Sequence, residues 1–436
     1  MTDIGAYPEG PGRKLGLPMC IALVMGNMIG SGVFLLPAQL APYGWNAVAG
    51  WIVTIGGALC LAIVLAKLAG HFGQARGIAP MIEEALGPLA GSLIGFSFWV
   101  SVWTGLVTIS LGAVSYASAF WPVIGKHPGL SAALTIWFVT AVNLLGVRAA
   151  GAFQLVTTLL KLTPLIVVAV LIAMRAATAG AHAFAPFPAE GLSLGATGTA
   201  AALALWAMVG FEAACAAGDK IDRPEITIPR ATVIGALLTG LFYLTVCSGI
   251  ALMLPADEVA ASPAPFALFV ERYWAAGPAA LVTVFAAISA IGALNGWVLV
   301  QGEVPRDMAR RRLMPSWFGA ADARGTPVRA LIVSSCLASL LVFANSSRSM
   351  GGLFAFMALL STCATLWLYL ACAVAAARYR IALPFVVLGG AYALWAMWGA
   401  GREAVLWSVA LMLLGLPLYW LGRASAPAGR EQAPVA

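Results

Sequence analysis

The sequence predicts an all-α integral membrane protein of twelve spans, and three observations carry that prediction. Apolar residues make up 61% of the chain against 9% charged, where soluble domains carry roughly a quarter. Mean hydropathy is +0.94, and the apolar residues gather into runs of crossing length. Lys and Arg fall between those runs, mostly on alternate sides, which is a topology signal. That placement also explains the net charge of +7 without any nucleic-acid partner.

In chain order, the first five runs are 17–40, 46–70, 90–120, 129–147 and 153–174. A second five follow at 196–217, 231–254, 276–300, 329–346 and 351–376, and a last pair at 382–399 and 404–421. The chain thus divides into a tail (1–16), a first group of spans (17–174), a second group (196–376), two further helices (382–421) and a tail (422–436). Met1–Lys14 is polar and Gly/Pro-rich, and no small-residue cleavage site follows the first run, so a cleaved signal peptide is not expected. With the N-terminus placed in the cytoplasm, 18 basic residues lie on that side and 5 on the other, which puts both termini inside.

The connections have characters of their own. The stretch 73–87, with Arg76, Glu83 and Glu84, reads as a short amphipathic helix at the cytoplasmic interface. The external stretch 176–194, with His182 and several prolines, should be irregular. Stretches 219–230 and 303–314 read as charged cytoplasmic loops in contact with lipid headgroups. All seven cysteines sit in apolar runs, as small buried hydrophobes rather than disulfide partners or metal ligands. His71, His127 and His182 lie near span ends with no ligand spacing, so no metal or cofactor is expected.

The first run carries an interruption: Gly26-Asn27-Met28-Ile29-Gly30-Ser31-Gly32-Val33-Phe34-Leu35-Leu36-Pro37. Three glycines and a serine within seven residues weaken a helix at a depth where lipid offers no replacement hydrogen bonds. Such a break is tolerated where protein or a watery cavity surrounds it. The half-helix starting near Ser31-Gly32 would then present free N–H groups and a positive end to an anion such as a carboxylate. The plainer reading is close helix packing through small residues, but these glycines keep no four-residue spacing.

The sixth run carries a matching interruption at Gly210, followed closely by Glu212, a carboxylate no lipid-facing helix would hold. Runs one and six occupy equivalent places in two groups of five, and an odd number per group inverts the second relative to the first. Paired interruptions in corresponding segments point to an inverted-repeat transporter with its site near the membrane midplane.

These motifs resemble the amino acid–polyamine–organocation superfamily, and within it the arginine/agmatine antiporters of the basic amino acid/polyamine antiporter family. The residues that carry the resemblance are GNMIGSGVFLLP at 26–37, LWAMVGFEAA at 205–214, GALNGWVLVQG at 292–302 and WSVALML at 407–413. The resemblance implies the LeuT-type fold, a five-plus-five inverted repeat with discontinuous helices 1 and 6 and two added C-terminal helices. It implies a multi-pass protein of the bacterial inner membrane, a homodimer, and an amino acid or decarboxylated amino acid as substrate. Asn27, Ile29, Gly30, Ser31 and Gly32 resemble the first half of the binding site, Ser31 and Gly32 holding the carboxylate. Backbone carbonyls around Trp206, Ala207 and Val209 resemble the ammonium site, Trp206 a lid, and Trp297 a wall against the substrate side chain. Asn27 and Glu212 resemble groups that couple the two broken helices.

Two departures bear on substrate and coupling. Leu106 and Ile109 stand where the arginine antiporters have asparagine and methionine, which makes the distal pocket more apolar and leaves room for a neutral amino acid. Lys161 lies inside the fifth span, where those antiporters are apolar. It resembles the lysine that replaces sodium in related exchangers and proton-coupled permeases. Snorkelling to the interface is the plainer reading, although the residue is about mid-span. The expectation is therefore a sodium-independent amino-acid exchanger, with Lys161 and Glu212 in gating or proton linkage. The alternatives are a proton-coupled neutral amino-acid permease or, from another class, a non-transporting amino-acid sensor. No nucleophile motif or metal cluster suggests an enzyme, and no filter-like carbonyl run suggests a channel.

Overall fold

The computed structural model describes residues 16–30, 32–72, 78–145, 161–211, 223–323 and 325–424. Among these every regular element is helical. The elements are α1 (Leu17–Met28), α2 (Gly32–Leu40), α3 (Trp45–His71), α4 (Ile78–Leu86), α5 (Pro88–Ser118), α6 (Pro122–Lys126), α7 (Pro128–Leu144), α8 (Leu162–Ala179) and α9 (Leu194–Met208). They continue with α10 (Pro224–Met253), α11 (Ala256–Ala261), α12 (Pro265–Tyr273), α13 (Ala276–Arg310), α14 (Val328–Ala344), α15 (Met350–Arg378), α16 (Leu383–Ala400), α17 (Arg402–Leu413) and α18 (Gly415–Ala424).

Eight stretches of helix are long and apolar enough to cross a membrane, and four shorter apolar helices accompany them among the described residues. Large apolar side chains such as Leu134, Val170, Leu340 and Val387 stand exposed on the outer faces of α7, α8, α14 and α16. In water such a surface would be costly, whereas lipid accepts it.

Two groups of helices face each other. One is built on α5, which is almost wholly enclosed and lies along α13 and α15, with α7 and α14 beyond. The other joins α3 to α9 and α10, with α1 packed along α10. Helix α16 closes on α9 glycine to glycine: a Cβ on Gly399 would stand 2.2 Å from the Gly198 carbonyl oxygen.

Several boundaries differ from the sequence reading. Helix α13 continues to Arg310, over residues read as a charged loop from 303 onward. Pro305 sits inside it and removes the N–H that would serve the Gln301 carbonyl. Trp99 Nε1 donates to that carbonyl at 3.1 Å instead, and the Ser334 hydroxyl, whose nearer acceptor is the Ala330 carbonyl at 2.8 Å, lies 3.3 Å from it, so the helix carries on. Helix α10 starts at Pro224, seven residues before the expected 231, because proline suits the first turn, whose N–H groups have no helical acceptor. The stretch 176–194 is helical to Ala179 and forms a 3-10 turn over Gly180–Ala183 before becoming irregular. The last run divides at Leu414 into α17 and α18.

Helix α4 is amphipathic as expected, but it packs on α5 instead of merely resting at the interface. Met81 and Ile82 are buried, and a Cβ on Gly91 would lie 2.7 Å from that of Glu83. Residues 73–77, and the start of the fifth span before 161, lie outside the described residues.

Candidate functional site

The interruption of the first helix falls where the sequence places it. Helix α1 ends at Met28 and α2 begins at Gly32. Each backbone group that a continuous helix would have satisfied here needs another partner. The Gly26 carbonyl, which Gly30 N–H would serve, accepts from Lys161 Nζ. The Met28 carbonyl, which Gly32 N–H would serve, accepts from the Tyr243 hydroxyl at 2.8 Å. Further on, Pro37 has no N–H for the Val33 carbonyl, and the Cys247 thiol supplies a weak donor at 3.8 Å. Tyr243 and Cys247 are one turn apart on α10, so a single face of that helix serves both halves of the interruption.

Helix α9 ends at Met208, where the sequence reading places the second interruption, and residues 212–222 beyond it lie outside the described residues. Val209 is extended and its N–H closes on Leu205. Gly210 then takes φ +123°, a conformation that disfavours any side chain. The final carbonyls of α9 have no donor within the helix. Helix α9 therefore presents carbonyl oxygens where α2 presents N–H groups.

A cavity lies between the two interruptions, lined by Met28, Gly30 and Gly32, by Trp206, Ala207 and Val209, and by Trp297. The wall opposite comes from α5 and α15: Ser101, Val102, Gly105 and Ile109 from one, Ser361 and Thr365 from the other. No charged side chain appears in this lining among the described residues. Trp206 lies directly on the start of α2, since a Cβ on Gly32 would come within 2.4 Å of its ring. Phe354 of α15 meets the Trp206 ring edge-on at 5.6 Å and limits where it can go.

The three lining hydroxyls have their protons engaged. Ser101 donates to the Phe98 carbonyl (2.7 Å), Ser361 to that of Ser101 (2.8 Å) and Thr365 to that of Ser361 (3.0 Å). Their oxygen lone pairs are left to accept from a donor in the cavity. A site that offers acceptors at its far wall and opposed helix ends at its near wall suits a small molecule with ammonium groups.

Of the residues expected at the site, Gly30, Gly32, Trp206, Ala207, Val209, Ile109 and Trp297 line this cavity. Ile29 is buried beside it, and Leu106 is buried on another face of α5, where Gly105 takes the lining position. Lys161 is buried, with 4% of its surface exposed, which excludes a snorkelling ammonium. Ser31, Glu212 and the side chain of Asn27 lie outside the described residues. Met28, Ser101, Gly105, Ser361, Thr365, Phe354 and Tyr243 escaped the sequence reading. Hydroxyls in apolar helices commonly bond to their own backbone, so their presence in a span is a weak signal.

The comparisons with known proteins agree with this architecture. The family model described as amino acid permease matches residues 15–421. The chain belongs to the amino acid permease family. Among relatives in this family, the cadaverine/lysine antiporter of Escherichia coli (strain K12) is 32% identical over 78% of this chain and 77% of its own length. The putrescine transporter PotE of Haemophilus influenzae is 27% identical over 93% of this chain and 96% of its own. PotE of Escherichia coli (strain K12) is 26% identical over 94% and 96%.

Proposed function

We propose that this permease is a sodium-independent exchanger of the bacterial inner membrane, carrying a basic amino acid and its decarboxylated diamine by alternating access. The observation that carries the reading is the cavity enclosed by two opposed helix ends and capped by Trp206. The N-terminus of α2 favours a carboxylate, and the carbonyl end of α9 favours an α-ammonium. An amino acid uses both ends, whereas a diamine uses only the second. The acceptor oxygens of Ser101, Ser361 and Thr365 receive the distal ammonium, and Trp297 lies along the aliphatic stem.

Relatives named for lysine, cadaverine and putrescine support a linear ammonium over a guanidinium. The eight long helices and four short apolar ones fit twelve crossings, with the two interrupted helices as equivalent members of an inverted repeat. The basic residues favour both termini inside. Lys161 supplies a fixed cation beside the first interruption, so the cycle needs no sodium. Ser31 joins the carboxylate site, while Asn27 and Glu212 couple the two interrupted helices.

The test is counterflow into sodium-free proteoliposomes with labelled lysine, cadaverine, putrescine, arginine, agmatine, alanine and leucine. Exchange of lysine and cadaverine, with arginine weaker, supports the reading. A second reading, a proton-coupled permease for neutral amino acids, draws on the apolar lining of Met28, Val102, Val209 and Ile109. Net uptake of leucine or alanine driven by a proton gradient, with lysine inert, would select it. No flux of any of the seven by folded protein counts against both and favours a sensor.

A further inference from the structure

We propose that Tyr243 is a positioning residue of the substrate site, its hydroxyl splinting the interruption between α1 and α2 so that α2 presents its N–H groups to substrate in a fixed orientation. The assignment rests on the transport reading above and adds a residue that lies outside the cavity lining.

Stopping α1 at Met28 and restarting at Gly32 removes several helical hydrogen bonds, among them Gly30 N–H to the Gly26 carbonyl and Gly32 N–H to the Met28 carbonyl. Loss of those two bonds alone sets free the carbonyls of Gly26 and Met28 and the N–H groups of Gly30 and Gly32. Lys161 takes the Gly26 carbonyl. Tyr243 takes the Met28 carbonyl, its O–H donating at 2.8 Å. The first N–H groups of α2, that of Gly32 among them, have no acceptor within the helix, and Gly32 lies on the cavity. The phenol thus holds the carbonyl at the end of α1, and the N–H end of α2 is left open for a carboxylate.

The phenol itself has little freedom. Tyr243 is fully buried, its ring meets Trp51 edge-on at 5.8 Å, and Cys247 one turn further on reaches the Val33 carbonyl of α2. Helix α10 therefore holds both sides of the interruption in register.

Removing only the hydroxyl tests this. Tyr243→Phe keeps the ring and its packing, and Tyr392→Phe serves as control, since it deletes a buried hydroxyl bonded to Thr54 away from the interruption. In sodium-free counterflow with labelled lysine and with labelled leucine, the expected result for Tyr243→Phe is a KM raised about tenfold, with the maximal rate within about twofold of wild type. Tyr392→Phe should leave KM unchanged. Hydrogen exchange in nanodiscs gives a readout that needs no transport: amides of 26–33 should exchange faster in Tyr243→Phe than in wild type or in Tyr392→Phe. An unchanged KM overturns the assignment. If wild-type protein moves neither label, the transport reading is what has failed, and the exchange measurement alone decides: unaltered exchange over 26–33 overturns the splint.

Discussion

Helix α13 and the first span each contain a proline that frees a carbonyl, yet only the first span is interrupted. In α13, Pro305 releases the Gln301 carbonyl, Trp99 takes it, and the helix runs on to Arg310. In the first span, Pro37 also releases a single carbonyl, Val33, and α2 continues through it. The interruption lies earlier, at Ile29–Gly30, where no proline stands and the glycines cluster. A lone proline is absorbed by one neighbouring donor, whereas a break requires low helix propensity together with several outside partners for adjacent backbone groups. The contrast also separates scaffold from site: partners at α13 leave nothing open, and partners at the first span leave an N–H facing a cavity.

The sharpest way to break that contrast is to fill the open place. Gly32→Ala puts a methyl 2.4 Å from the Trp206 ring, which Phe354 confines from the other side. Overpacking of this kind costs about 1–3 kcal/mol, equivalent to roughly a tenfold to hundredfold loss of apparent affinity. The readout is KM for whichever substrate the wild type exchanges. An unaltered KM would mean that Trp206 does not lie on α2 when substrate is bound.

Next in size is the cation. Lys161→Met leaves the Gly26 carbonyl without its charged donor, an interaction of about 1.5–3 kcal/mol that would slow exchange by roughly tenfold or more. The thermal midpoint should move less, because burying an ammonium is itself costly and the variant is relieved of that cost. In wild type, replacing sodium by choline should change nothing. Sodium-dependent exchange by the wild type would remove the ammonium from its proposed role.

How much of this was legible beforehand follows the same division. Both interruptions could be read because glycine clusters and an intramembrane carboxylate are anomalies in any apolar run. The service groups could not. Tyr243, Ser361 and Thr365 are ordinary residues in ordinary spans, and only packing reveals which carbonyl or cavity each one meets. Leu106 failed for a related reason: one residue of register on α5 is 100° of rotation, enough to exchange a lining position with Gly105. The length of α13 was hidden because charged residues mark both a loop and a helix that projects beyond the lipid.

On the scaffold side, Trp99→Phe should cost stability and spare function. The variant loses the Nε1 bonds to the Gln301 carbonyl (3.1 Å) and the Ser334 hydroxyl (2.9 Å), and Ser334, 3.3 Å from that carbonyl, has a nearer acceptor in the Ala330 carbonyl at 2.8 Å. The expected cost is about 1 kcal/mol in thermal unfolding, with KM unchanged. A raised KM would show that the α5–α13 contact sets the cavity as well as supporting it.

The smallest effect lies outside the spans, where α4 meets the end of α13. Glu83 is half-buried there, 3.9 Å from Arg311, which is itself 3.6 Å from Asp307. Burial pushes the Glu83 carboxyl up, Arg311 pulls it down by less, and Asp307 pushes it up again. A carboxyl raised on folding binds its proton more tightly in the native state than in the unfolded one. Its contribution to stability is therefore lost as pH rises through the native pKa and restored on acidification. Glu83→Gln should raise the thermal midpoint slightly at neutral pH, and the gain should vanish as the solution is acidified below the unfolded carboxylate range. A variant less stable than wild type at neutral pH would mean that the Arg311 ion pair outweighs burial. The junction of α4 with α13 would then be held by charge, as the interrupted first span is held by Lys161, and not by apolar packing alone.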